Sequence, residues 1–155
     1  MDSAALAIEF SALTLTRFDA AEAIDLGLGL VAQARAGGLP VVIDIRTPDR
    51  ILFHAALPGS APLNDLWVDR KAATALLFQE PSLLVGTRNR EKGETLAKHG
   101  LSGETHADHG GAVPVRVAGA GVVACLTVSG LPQVEDHLLA LRALQALAVQ
   151  QGRGV

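Results

Sequence analysis

The chain is poor in aromatic residues and in charge. It has no tyrosine and one tryptophan among its 155 residues, and 13 basic residues against 16 acidic ones give a net charge of −3. Nucleic-acid binding usually needs cations that neutralise phosphates and aromatic rings that stack on bases. Because the sequence is short of both, we expect no nucleic-acid partner.

Cysteine and long apolar runs are equally scarce. The one cysteine, Cys125, cannot form an internal disulfide, and its apolar surroundings predict a buried, unreactive thiol. No apolar run is long enough to cross a bilayer, and the N-terminus lacks the basic and apolar stretches of a signal peptide. These absences predict a cytoplasmic protein without a membrane partner.

The balance of residue types also bears on assembly. Charged residues make up 19% of the chain and hydrophobic residues 49%, whereas globular domains carry about 25% charged residues. The length fits one domain, residues 1–155, with a full core. So little charge predicts that part of the surface is buried against other copies, in a homo-oligomer.

Capping residues and hydrophobic spacing predict the elements. Asp19 is expected to cap a first helix, with Glu22 closing a capping box and with Ile24, Leu28 and Val31 on the apolar face. Further helices are expected at 65–78 (capped by Asn64), at 91–99, and from Pro132 to about 150; strands are expected at 41–46, 51–57, 113–117 and 122–128.

The four strands form two hairpins with no βαβ crossover, which predicts an antiparallel sheet packed on helices, the α+β class. Residues 6–18 are compatible with a short helix or a strand, and residues 82–87 are weakly strand-like. No glycine-rich loop joins a strand to a helix, so the common nucleotide-binding motifs are absent.

Ionisable residues concentrate in the last third of the chain. His106, Asp108 and His109 share one loop, and His137 begins the final helix. These groups fit three interpretations: solvated or hydrogen-bonded structural residues, contacts to haem or another organic ligand, or a metal site. A His-x-x-His loop lacks the fixed geometry of a His-Glu-x-x-His helix, so no metal is predicted. His54, within a strand, is interpreted as a half-buried structural residue.

Three further features point to a pocket. Gly110-Gly111 allows a close backbone approach, either as a simple turn or as a pocket wall. Ser129 ends a strand and is expected to cap the following helix. It is not expected to be a nucleophile, because the Gly-x-Ser-x-Gly elbow of serine hydrolases is absent. Arg70 and Lys71 predict either surface ion pairs or an anionic ligand, such as a carboxylate or a haem propionate.

In order along the chain, several motifs resemble the haem-degrading, HbpS-like superfamily, which includes GlcG-like proteins and the C-terminal domain of PduO. The motifs are Trp67-x-x-Arg70-Lys71, His109-Gly110-Gly111-x-x-Pro114 and Val128-Ser129-Gly130-Leu131-Pro132 followed by Asp136-His137. The resemblance implies profilin-like α-β-α layers around a central antiparallel sheet of about five strands. It also implies a homo-oligomer and a haem or related tetrapyrrole ligand.

The motifs together predict a ligand site formed by Arg70, Lys71, His109, Gly110, Gly111, Ser129 and His137. The glycine pair enters one strand of a hairpin that Ser129 ends, so antiparallel pairing places them at the same end of the sheet.

The sequence leaves two alternative functions open. One is an enzyme that assists haem breakdown or acts on a small hydroxy or keto acid. Arg70 and Lys71 would then hold the carboxylate, and His109 or His137 would serve as acid or base. The other is a structural or chaperone-associated homo-oligomer without a small ligand.

Overall fold

The computed structural model describes residues 1–153. Its helices are α1 (Ser3–Ser11), α2 (Ala20–Ala36), α3 (Pro62–Phe78), α4 (Ser82–Lys92) and α5 (Gln133–Arg153), and its strands are β1 (Val42–Arg46), β2 (Ile51–Ala56), β3 (Ala112–Val117) and β4 (Gly121–Ser129). A 3-10 turn spans Leu96–His99. Within the described residues, no helix combines the length and apolar character needed to cross a membrane.

Both predicted hairpins are present, and they join into one antiparallel sheet with the strand order β2-β1-β4-β3. The α+β class is therefore confirmed. The expected fifth strand is wrong for residues 1–153, where the sheet has four strands. Beside β3 only Leu15 makes a bridge, a parallel one to Val117. Four residues after Leu15, Asp19 caps the start of α2.

The two faces of the sheet carry different layers. On one face, α2 and α5 cover a large apolar core that includes Ile43, Leu126 and Leu144. On the other face, α3 packs closely through small side chains, with Ala72 and Ala75 against Cys125. Helices on both faces give three layers, α-β-α.

Cys125 is fully buried beneath α3, and this burial raises the pKa of its thiol to about 12. The predicted buried, unreactive thiol is confirmed in its placement. A thiol with so high a pKa carries almost no thiolate near neutral pH, which is the reactive form.

Residues 82–87 form the first half of helix α4, so the strand-like interpretation is wrong. A short apolar run does not by itself distinguish a strand from a buried helix, and here Leu83, Leu84 and Val85 are all buried. The helix expected at 91–99 is also wrong, because Gly93 ends α4 in a left-handed conformation (φ 67°).

The start of α3 also differs from the expected one. The helix begins at Pro62, one residue after the N-cap Ala61. Asn64 is therefore not the cap but the third helical residue, and its side-chain oxygen accepts the Ala61 N–H at 2.8 Å.

Helix α2 presents a different face to the core than expected. Asp19 does cap it, accepting the Glu22 N–H at 2.9 Å, but Ile24 and Leu28 are 45% and 56% exposed. The buried face instead runs through Gly27, along with Ala23, Leu30 and Ala34. A Cβ at Gly27 would overlap the Phe53 ring, so the helix lies too close to β2 for large side chains.

Two glycines of α2 provide a matched test of this close packing. Gly27→Ala should lower the free energy of unfolding by about 1–3 kcal/mol, because the Phe53 ring must move to admit a methyl group. Gly29→Ala should raise it by roughly 0.5–1 kcal/mol, because no atom lies near its Cβ position and alanine favours the helix. Urea unfolding measures both. Equal effects of the two substitutions would contradict the packing described here.

Candidate functional site

Two adjoining cavities lie at the end of the sheet where β4 leads into α5. The inner cavity, of about 240 Å³, lies between α3, the loop before β3 and the start of α5. The outer cavity, of about 360 Å³, lies between α3 and the chain from Thr95 to His109. Trp67 and His109 line both cavities, so their side chains form the wall between them.

The structure brings together four of the seven predicted site residues around the inner cavity: Lys71, His109, Gly110 and Ser129. Of the other three, Arg70 lines the outer cavity. Gly111 packs against the Lys71 side chain. His137 lines neither cavity.

Lys71 is the buried centre of this region. Its side chain is 4% exposed, and Nζ donates to the carbonyl oxygens of Gly110 and Val128 at 2.9 Å each and to Asp136 Oδ2 at 3.3 Å. Three acceptors match the three N–H bonds of an ammonium group. Burial lowers the pKa of Lys71, and the neighbouring Asp136 carboxylate opposes that change. The charge of Lys71 is thus balanced inside the protein.

Asp136 joins this ion pair to the turn that precedes α5. Its Oδ1 accepts the Leu131 N–H at 2.9 Å, and its Oδ2 accepts the Gly130 N–H at 3.3 Å. Burial raises the pKa of Asp136, while Lys71 and these N–H groups favour the carboxylate and oppose the rise. The N–H groups of this turn, which would suit an external anion, are therefore occupied by the protein's own carboxylate.

The glycine pair allows the backbone to approach Lys71 and α5. Gly111 has a φ of 141°, and a Cβ there would overlap both the Val128 carbonyl oxygen and Lys71 Nζ. The Gly110 N–H donates to Gln133 Oε1 at 2.9 Å. Side chains at these two positions would push the loop away from α3 and α5. The glycine pair is therefore required for the loop to form one wall of the cavity.

An aromatic and a cationic side chain flank His109. The rings of Trp67 and His109 meet edge to face with centroids 5.0 Å apart, and the Arg70 guanidinium carbon lies 4.3 Å from the Trp67 ring centroid. The His109 side chain is 50% exposed. Its Nε2 makes no hydrogen bond to any residue that the structure describes. His109 therefore offers an open ring nitrogen at the boundary of the two cavities.

His137 lies on another side of α5 from Asp136. It is 1% exposed, and its Nε2 is 3.7 Å from Glu9 Oε1 of α1. Within the described part of the chain, neither ring nitrogen has a hydrogen-bond partner. Burial lowers the pKa of His137, and the Glu9 carboxylate opposes that change. Neighbours in a helix point about 100° apart, so adjacency in sequence brought only Asp136 to the cavity.

Two amide side chains outside the predicted site, Asn64 and Gln133, also line the inner cavity. Each lies in the first turn of a helix and accepts a backbone N–H. Their only signal in the sequence is this position next to a helix start, which is common and does not distinguish a ligand site.

A polar cluster outside both cavities ties β1 and β2 to α3. The Nδ1 of His54 is hydrogen-bonded to Asp44 Oδ2 at 2.7 Å, and its Nε2 to Asp65 Oδ1 at 2.8 Å. Arg46 binds the Asp44 carboxylate with two N–H groups, at 2.7 and 2.9 Å. Burial disfavours the charged imidazolium of His54, but the hydrogen bonds and charges of Asp44 and Asp65 have the larger combined effect. The pKa of His54 is therefore raised. Because both its nitrogens are occupied, His54 fits the structural interpretation.

No three His, Cys, Asp or Glu side chains within residues 1–153 are grouped so that they could hold a metal ion.

Comparison with known proteins identifies the family of this chain. A family model described as "Haem degrading protein HbpS-like" matches residues 18–145. A UPF0303 protein of Streptomyces coelicolor is 50% identical over 134 residues, which cover 86% of this chain and 85% of the relative. A UPF0303 protein of Burkholderia thailandensis is 46% identical over 147 residues, 94% of this chain and 89% of the relative.

Solved structures agree with this match. The crystal structure of the Ybr137w protein superposes with a TM-score of 0.86 at 34% identity, covering 97% of this chain and 89% of that one. The crystal structure of a PduOC:heme complex superposes with a TM-score of 0.68 at 20% identity, covering 86% of this chain and 95% of that one. The latter likeness concerns the fold alone.

The ion pair between Lys71 and Asp136 can be tested through stability. Lys71→Met should lower the free energy of unfolding by about 3–5 kcal/mol, because it leaves the Asp136 carboxylate buried without a counter-charge. Urea unfolding gives the value. With Asp136→Asn added, the total loss should be less than the sum of the two single losses, because no uncompensated charge then remains.

Arg70→Met is the matched control, since it removes the neighbouring cation of α3 from a partly exposed position. We expect a change of about 1 kcal/mol or less there. A loss at Lys71→Met no larger than that at Arg70→Met would contradict the central role of the buried pair.

Proposed function

This chain belongs to the family of haem-degrading, HbpS-like proteins, and from that premise we propose that it binds haem or a related tetrapyrrole in the outer cavity. The observation that carries the proposal is the side-chain set around that cavity. Two imidazoles, His106 and His109, lie there with the indole of Trp67 and the guanidinium of Arg70. Iron coordination, stacking on a flat ring and pairing with a carboxylate are the contacts that a haem needs.

The accessibility of the ring nitrogens favours His109 and His106 as iron ligands. His109 is half exposed with no partner on Nε2 within the described residues. His106 uses Nδ1 in a hydrogen bond with Thr105 at 2.8 Å, which leaves Nε2 for a ligand. By contrast, both nitrogens of His54 are bound to carboxylates, and His137 is 1% exposed.

Arg70 is placed to bind an acidic edge of the ligand. Its guanidinium stacks on Trp67, and one N–H donates to the Gly103 carbonyl oxygen at 3.3 Å. A guanidinium has five N–H donors, so others remain for a propionate carboxylate. Leu96, Leu101 and Ala97 supply apolar wall to the same cavity, which suits the body of a tetrapyrrole. Bound haem would supply redox-active iron beside the Trp67 and His109 wall.

A haem titration followed at the Soret band tests the proposal. We expect a saturable shift at about one haem per chain, and His109→Ala should weaken binding by roughly tenfold or more because an iron ligand is lost. The matched control is His99→Ala, which removes an exposed histidine outside both cavities and should leave the affinity unchanged. No saturable shift, or equal losses in the two variants, would reject this site.

We further propose that the chain forms a homo-oligomer through α2 and the edge strand β2. Ile24 and Leu28 of α2 and Ile51 of β2 are each about half exposed (45%, 56% and 53%). β2 lies at one edge of the sheet, so within residues 1–153 one side of its backbone has no neighbouring strand. Apolar side chains beside an open strand edge favour pairing with another chain.

Light scattering tests the assembly. The wild-type protein should have a mass well above the 16.0 kDa of one chain. The double substitution of Ile24→Glu and Leu28→Glu should reduce that mass, because buried charges would oppose the interface. Ala32→Glu places a charge at another exposed position of α2 as a control. A wild-type mass of one chain at micromolar concentration would contradict the proposal.

A further inference from the structure

We infer that the inner cavity is a second, separate binding site, and that its ligand is a small carboxylate. The inference rests on three side chains that line this cavity, Asn64, Ser129 and Gln133, and on the hydrogen bonds they already make. It does not depend on haem binding in the outer cavity.

The two amides are held so that their NH₂ groups remain free. Asn64 Oδ1 accepts the Ala61 N–H at 2.8 Å, and Gln133 Oε1 accepts the Gly110 N–H at 2.9 Å. A backbone N–H is only a donor, so the side-chain atom that meets it must be the oxygen. This leaves Asn64 Nδ2 and Gln133 Nε2 as donors, and neither has a partner among residues 1–153.

Ser129 adds a hydroxyl that faces the cavity to these donors. The residue is 3% exposed and lines the cavity, yet its hydroxyl makes no hydrogen bond to any described residue. A hydroxyl that faces a cavity without a protein partner is free to bind water or a ligand there. The Trp67 indole N–H and the His109 ring can add donors from the wall between the cavities.

The carboxylate and amide oxygens at this cavity each already accept a hydrogen bond from the protein. The Asp136 carboxylate takes bonds from Lys71, Gly130 and Leu131, and the amide oxygens are bound to backbone N–H groups. The side-chain groups that have no partner among the described residues are therefore donors, the two NH₂ groups and the Ser129 hydroxyl, and they favour a ligand rich in acceptor oxygens. A carboxylate presents about four lone-pair sites and no donor, so it matches a pair of NH₂ groups and a hydroxyl.

Size and charge restrict the ligand further. At about 240 Å³ the cavity is below the roughly 300–1,000 Å³ of pockets that hold drug-sized molecules, so a tetrapyrrole does not fit. The ion pair of Lys71 and Asp136 is neutral as a unit, so no unpaired carboxylate of the cavity wall repels an anion. A short-chain acid is the chemistry that satisfies both conditions.

The protein carries its own reporter for this site, because Trp67 is its single tryptophan and lines the cavity. Acetate and lactate are titrated into the full-length protein at constant ionic strength, with chloride as the balancing anion. Trp67 fluorescence and its indole ¹H–¹⁵N resonance are followed. We expect a saturable change with either acid and none with acetamide, which has the same shape but no charge.

Two isosteric variants test the assigned donors. Asn64→Asp and Gln133→Glu keep the oxygen that accepts the backbone N–H but replace the NH₂ donor with a second carboxylate oxygen. Each should weaken acetate binding at least tenfold with little change in the melting temperature, and Ser129→Ala should weaken it several-fold. Gln33→Glu on α2, across the sheet, adds the same charge as a control and should have little effect.

The outcomes separate this inference from the haem proposal. Gln133→Glu should leave the Soret titration unchanged, because Gln133 does not line the outer cavity. If acetate and lactate give no saturable response, or acetamide responds equally, the carboxylate site is rejected while the haem result stands. If Asn64→Asp and Gln133→Glu both bind acetate like the wild type, the donor assignment is overturned.

Discussion

The arrangement of the candidate site depends on one buried ion pair. Lys71 of α3 binds Asp136 of α5 and the carbonyl oxygens of Gly110 and Val128, so one ammonium group joins two helices, a strand and a loop. A lysine buried to this degree is stable only when every N–H has an acceptor. That requirement dictates Gly111, since any side chain there would occupy the space of Nζ or of the Val128 oxygen.

The two cavities beside this pair differ in their chemistry. The charges of the pair cancel, so the pair gives the inner cavity no net charge. The inner cavity retains neutral donors from two amides and a serine, whereas the outer cavity contains Arg70 and two imidazoles. Trp67 and His109 contribute to both. Their edge-to-face contact lies between the proposed carboxylate site and the proposed tetrapyrrole site. Binding in either cavity would therefore change the surroundings of the same two rings.

Local signals predicted the parts of the fold that local interactions determine. Asp19 caps α2 as expected, and both hairpins pair as expected, because capping and strand alternation act over a few residues. The buried face of α2 was not predictable in this way. Ile24 and Leu28 follow helical spacing, yet the buried face runs through Gly27. Only glycine fits there, because the Phe53 ring fills the space that a side chain would need. That distance is a tertiary property.

The candidate site, like the fold, was predictable from the sequence only in part. Lys71, His109, Gly110 and Ser129 were predicted from motifs that resemble the family and from the pairing of one hairpin, and all four line the inner cavity. Asn64 and Gln133 were not, since an amide at a helix start is common and only the fold shows that both face one cavity. Asp136 and His137 could not be told apart by sequence, because which of two adjacent helical residues faces the sheet end depends on how α5 docks.

The alternation of β4 explains how one sheet supports both a core and a polar site. Ala124, Leu126 and Val128 belong to the apolar core beneath α2 and α5. Cys125 faces α3, and strand alternation turns Thr127 and Ser129 to the same side. The apolar face supplies most of the burial that stabilises the fold. The opposite face can therefore hold small and polar side chains under α3, and at its end Lys71 and Ser129 meet the cavity. A β4 with large apolar residues on both faces would push α3 away from the sheet and separate Lys71 from the Val128 oxygen.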